Sequence, residues 1–184
     1  MWYIFEKKNT TMNKSYVILL LCGLSILFAG CPYGADVPID KEPTIPIDKT
    51  LLGKWENSSA SDYTYYFRAD DANTYRISKI SSSTGDSTVY FAFESKIDNV
   101  SFINIYEENE FGSKTYYLYK LTKRGTSKIS MEEVTDNIDE KFDTSEELKA
   151  YLAKHQHLSF LFNKDADEYV RMDGLVIFRA TQMI

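Results

Sequence analysis

From Leu51 onward the chain carries no proline and repeats one local pattern, short runs of aromatic and β-branched residues in which every second position is apolar. Residues 62–68 bring Tyr63, Tyr65 and Phe67 into phase, 74–80 bring Tyr75 and Ile77, and 88–95 bring Val89, Phe91 and Phe93. Runs at 100–106, 114–121 (Tyr117, Tyr119, Leu121) and 127–133 (Ile129, Met131) follow. A period of two sends successive side chains to opposite faces, so each run predicts a strand with a buried face. Turn-forming residues separate them: Asp70-Asp71-Ala72-Asn73, Thr84-Gly85-Asp86, Phe111-Gly112-Ser113 and Arg124-Gly125. No helical pattern intervenes, which predicts an antiparallel meander and therefore a sandwich or a barrel. Tyr66, Tyr90, Phe102 and Leu118 add apolar side chains on the second face of their runs. That favours a closed barrel covered by a helix.

The helix is signalled later. Thr144-Ser145-Glu146-Glu147 reads as a capping box, with Leu148, Tyr151 and Leu152 on one face, and predicts a helix over 145–156. Residues 158–162 read as a strand, and 169–172 with 175–179 as a hairpin turning at Asp173-Gly174.

The first half-hundred residues differ. All four prolines fall between Pro32 and Pro46, and Pro-Ile-Asp-Lys occurs twice, at 38–41 and 46–49. Proline removes amide donors and fixes φ, so residues 31–50 read as an extended tether. Before it, Met12-Asn13-Lys14 gives a short cationic start, and a run from Tyr16 to Phe28, interrupted by Gly23 and Ser25, leads to Ala29-Gly30-Cys31. About a dozen apolar residues fall short of the ~20 that span a bilayer and match the core of an export signal. Residues 1–30 therefore read as a signal peptide, and a start at Met1 or at Met12 gives the same mature chain.

Leu27-Phe28-Ala29-Gly30-Cys31 resembles the lipobox of bacterial lipoproteins, with Phe28 where Leu is usual. The resemblance implies cleavage before Cys31, acylation of that cysteine (palmitate among its lipids) and attachment to a membrane through the acyl chains. Pro32 stands where an Asp would retain a lipoprotein at the inner membrane, so the outer membrane is expected in a Gram-negative envelope. Removing residues 1–30, which hold Lys7, Lys8, Lys14 and Glu6, takes the formal charge from −6 to −8. An acidic chain without a basic stripe does not suit nucleic acid, where phosphate neutralisation dominates affinity. With Cys22 lost and Cys31 acylated no thiol remains, which excludes disulfides and thiolate chemistry.

Leu51-Leu52-Gly53-Lys54-Trp55 resembles the Gly-X-Trp motif that opens lipocalins and related calycins. The resemblance implies an antiparallel calycin-like barrel of about 8–10 strands over 51–184, with Gly53 and Trp55 as its structural motif. Trp55 would plug the closed end beneath an arginine from a late strand, Arg171 or Arg179.

Signals for catalysis are thin. His155 and His157 stand at a helix end without a third ligand. Asp165-Ala166-Asp167-Glu168 lacks the glycine and distal glutamate of a calcium loop. Glu107-Glu108-Asn109-Glu110 and the basic stretch 120–128 sit at hairpin tips, where solvation explains them. The sequence thus implies no enzyme, metal or cofactor. Two binding roles are expected. One is a carrier of a small apolar or aromatic ligand, with Tyr65, Phe67, Phe91, Phe93, Tyr117 and Tyr119 facing inward. The alternative is an envelope adaptor or inhibitor that binds a protein through barrel loops.

Overall fold

The computed structural model describes residues 33–173, apart from 139 and 164. The expected export signal at 1–30, Cys31, Pro32, Arg179 and the strand expected at 175–179 lie outside the described residues. Within them the meander runs through β1 (Gly34–Ala35), β2 (Gly53–Asn57), β3 (Tyr63–Ala69), β4 (Tyr75–Ser81), β5 (Ser87–Ile97), β6 (Val100–Glu108), β7 (Lys114–Arg124), β8 (Lys128–Glu133) and β9 (Asp167–Arg171). From β2 to β8 each strand pairs antiparallel with the next, and β9 fits between β8 and β2. The sheet therefore closes into an eight-stranded antiparallel barrel, with β1 added on one edge.

Turn chemistry sets the hairpins. Asp71 Oδ1 accepts hydrogen bonds from the amides of Asn73 (2.7 Å) and Thr74 (2.8 Å), and Asn109 Oδ1 does the same for Phe111 and Ser113. Such Asx turns substitute a side chain for a backbone acceptor. At the β7–β8 tip Gly125 takes φ 73°, a left-handed conformation that a Cβ would strain.

Two cores result. Inside the barrel, Leu51, Trp55, Phe67, Tyr75, Ile103 and Leu121 pack together toward the end where β2 begins. Outside it, Phe102 and Leu118 pack with Val134, Leu148, Leu152 and Leu161. The outer cluster is made by α1 (Ser145–His155), whose Leu148 and Leu152 face the wall. Thr144 Oγ1 caps the amide of Glu147 (3.2 Å), while Glu147 reaches back to the amide of Asp143 rather than to the cap residue.

Two expectations are corrected. Residues 158–162 form a 3-10 turn, Ser159–Leu161, not a strand, and Phe162 makes a single bridge with Val134. A short apolar run does not distinguish the two by periodicity, and burying Leu161 under the outer core selects the turn. The expected 31–50 tether is not free where it is described. β1 pairs with Tyr116 and Tyr117, Ala35 and Ile39 are buried, and Ile39 donates its amide to Asn104 Oδ1 at 2.8 Å. Lys49–Leu51 then forms a 3-10 turn that carries buried Leu51 into the inner core. The physical reason is an edge. Along β7, β8 covers only Tyr119–Arg124, leaving the start of the strand with open donors and acceptors that β1 takes up.

Candidate ligand-binding site

The barrel ends differ because of what each strand brings to them. At the lower end, where β2 starts, Gly53 has φ 129°, and a Cβ there would run into the Asp173 carboxylate, which accepts from the Lys54 amide at 2.8 Å. Two residues on, Trp55 is buried, donates Nε1–H to the Leu51 carbonyl at 2.8 Å, and lies beneath Arg171, whose guanidinium carbon is 4.9 Å from the ring centroid. Arg171 also donates to the carbonyls of Thr126 (3.0 Å) and Thr50, tying the β7–β8 tip and the 3-10 turn across this end. Beside it, Tyr75 hydrogen-bonds Glu94 (3.0 Å), and Lys123 bridges Glu94 (3.3 Å) and Asp48 (2.7 Å). This end is closed.

Toward the other end the side chains no longer meet. A cavity of about 340 Å³ opens there, with Phe67, Ile77, Ile129 and Met131 as its floor and lower walls. Five tyrosines rise around it, Tyr65, Tyr90, Tyr117, Tyr119 and Tyr169, and four ionisable groups sit higher, Lys79, Glu107, Glu133 and Asp167. Tyr65 and Tyr169 meet edge to face at 5.3 Å. Tyr119 donates to Glu133 Oε1 at 3.0 Å, and Asn163 donates to the other carboxylate oxygen at 2.8 Å. Asn57 donates to Asp167 Oδ1 at 2.8 Å.

Burial, reinforced by Glu133, pushes the Tyr119 phenol well above its ordinary value; burial and Asp167 do the same for Tyr169, and raise Tyr65. Burial and Glu107 raise Tyr90. These phenols stay protonated at neutral pH and offer hydroxyl donors as well as ring faces.

Of the residues expected to face inward, Tyr65, Phe67, Tyr117 and Tyr119 line this cavity together. Phe91 and Phe93 do not. They lie on the outer face of β5, where Phe91 stacks on Tyr106 (5.7 Å) beneath Arg76, and Phe93 packs edge-on against the same tyrosine. The inner face of β5 belongs to Tyr90, Ala92 and Glu94. Both faces of this strand are covered, so its alternation carried no direction; a one-residue phase change exchanges the two sets. Tyr90 and Tyr169 entered the cavity through register alone: Ile77 pairs with Tyr90, and Ile129 with Tyr169.

Other sequence motifs have structural partners. His155 Nδ1 bonds the Tyr151 carbonyl (2.9 Å), Glu168 pairs with Arg124 (2.7 Å), and Lys120 pairs with Glu132 (3.2 Å). Among the described residues no group of three His, Cys, Asp or Glu side chains is arranged to hold a metal, and no helix is long and apolar enough to cross a membrane. The closed eight-stranded barrel with one helix after β8 is compatible with the calycin-like resemblance. Compared with known families, curated proteins and solved structures, the chain matches none.

Proposed function

We propose that this protein is a lipid-anchored, non-catalytic component of a bacterial cell envelope whose barrel carries a small apolar or aromatic molecule. The observation behind the reading is a half-filled interior. Trp55, Phe67 and Tyr75 pack one end solid, while the other holds about 340 Å³ among tyrosine rings. Ligand pockets begin at roughly 300 Å³ and combine apolar walls with a few placed polar groups. A barrel built only for stability would fill that space, because interiors pack to near crystal density. The anchor rests on the signal-like run and Ala29-Gly30-Cys31, and the outer membrane on Pro32. Since β1 begins at Gly34, an anchor at Cys31 leaves the barrel roughly 10 Å of chain, not the long tether the prolines suggest.

Two experiments test the reading. Cys31→Ala should abolish labelling by radioactive palmitate and leave an unprocessed precursor; a wild-type protein that takes up no label refutes the anchor. An apolar fluorophore should bind with one-to-one stoichiometry and quench Trp55 or tyrosine emission, and absence of saturable binding refutes the carrier. The adaptor reading draws on Phe111, 92% exposed at the β6–β7 tip, and on half-exposed Phe160. It gains only if the fluorophore does not bind.

A further inference from the structure

We propose that the molecule the cavity accepts is an organic cation, a protonated amine on a compact aromatic or aliphatic body; this rests on the reading of the cavity as a binding site. Its ionisable lining is unbalanced, three carboxylates (Glu107, Glu133, Asp167) against one ammonium, Lys79. Among the described residues none of the three carboxylates is in an ion pair. Lys79 does not neutralise them; its Nζ lies 4.2 Å above the ring of Tyr63, itself 40% exposed.

Glu133 is the informative group. It is half-buried, and its oxygens accept one hydrogen bond each, from Tyr119 and from Asn163. An ionised carboxylate accepts about four, so both oxygens keep acceptor capacity, and Glu133 lines the cavity. A neutral apolar body seated against it would strip away water and return nothing, a costly exchange for a charge. An anion would add repulsion from all three acids. An ammonium instead pairs with the carboxylate as a charge-assisted donor. Its body meets the tyrosine rings, and ring faces attract a cation within about 6 Å. The walls thus suit the body and the acids suit the head.

The test uses three probes of one shape and different charge: naphthylmethylamine, naphthalenemethanol and naphthoate. Binding is measured by calorimetry on the full chain in phosphatidylcholine vesicles, with empty vesicles as the blank. The amine should bind at least about tenfold more tightly than the alcohol, the acid should bind most weakly, and the advantage should shrink as salt rises. Glu133→Gln, which keeps an acceptor for Tyr119, and Asp167→Asn should each cut the amine-to-alcohol ratio severalfold. If the alcohol binds as well as the amine, or the variants weaken both alike, the cation assignment falls and the cavity reading survives. If none of the three binds, the cavity reading falls and takes this inference with it.

Discussion

Trp55 is fixed by a bond from its own indole to Leu51, by Arg171 above its face, and by the inner-core side chains around it. Truncating a buried aromatic of this kind costs about 3–5 kcal/mol, a large share of the ~5–15 kcal/mol that holds a domain folded. Trp55→Ala should therefore lower the urea midpoint strongly, and a variant unfolding beside wild type would show the plug to be dispensable. The tyrosines set a limit on the alkaline side. Tyr75, Tyr119 and Tyr169 are held protonated first by burial and then by Glu94, Glu133 and Asp167 respectively. Their folded-state pKa values lie above the unfolded value of about 10. The stabilisation is therefore complete below pH ~10 and is lost as pH rises through the higher folded values. The urea midpoint should begin to fall above pH ~10, with the tyrosinate absorbance of these three rings appearing only on unfolding. Asp48 has the opposite sign. The hydrogen bond from Lys123 holds its carboxyl down at about 2, so its contribution is present above pH ~4 and is lost as pH falls through about 2.

Among elements, the N-terminal segment depends on one buried side chain in the barrel wall. Asn104 is fully buried and satisfies three groups: it accepts from the Ile39 amide and donates to the Phe93 carbonyl and Ser95 Oγ. Removing it leaves those groups without their partner in a place water does not reach. Such loss costs about 1–3 kcal/mol per unsatisfied group. Asn104→Ala should speed hydrogen exchange at the Ile39 amide and release the segment before the barrel unfolds, an order that exchange mass spectrometry reads directly. Simultaneous loss of protection in segment and barrel would show them to be one cooperative unit. The same segment shows why its expected role as a tether failed. Its prolines limit regular structure, but Ala35 and Ile39 lie between them and find an open edge and an outer core.

At the scale of the whole molecule, the barrel divides its interior into a packed half and an open one. The open half should accept added volume without the overpacking cost usual in cores. Ile105, on β6 in the cavity wall, is the place to add it. Ile105→Phe should leave the melting temperature within a few degrees of wild type while weakening fluorophore binding at least about tenfold. A strongly destabilised variant would mean that the space is not free in solution.

Local chemistry determined much of this fold. Alternating aromatics and the turn residues 70–73 and 111–113 specified strands and hairpins, and Thr144 with Glu147 marked where the helix starts, because those interactions span only a few residues. The resemblance carried by Gly53 and Trp55 implied a closed barrel end beneath Arg171 or Arg179, and Arg171 lies over the Trp55 ring. What the sequence did not determine was direction. Phe91 and Phe93 alternate as correctly as Tyr65 and Phe67, yet they face outward, where Tyr106 packs on both and Arg76 lies over Phe91, on a wall whose outer side carries an apolar cluster of its own. The meeting of Tyr90, Tyr169 and Glu133 was decided by register across strands distant in the chain, and so was the cavity between them. A row of tyrosines fills a core or lines a hollow with the same residues, and only how the side chains meet across the closed barrel separates the two outcomes.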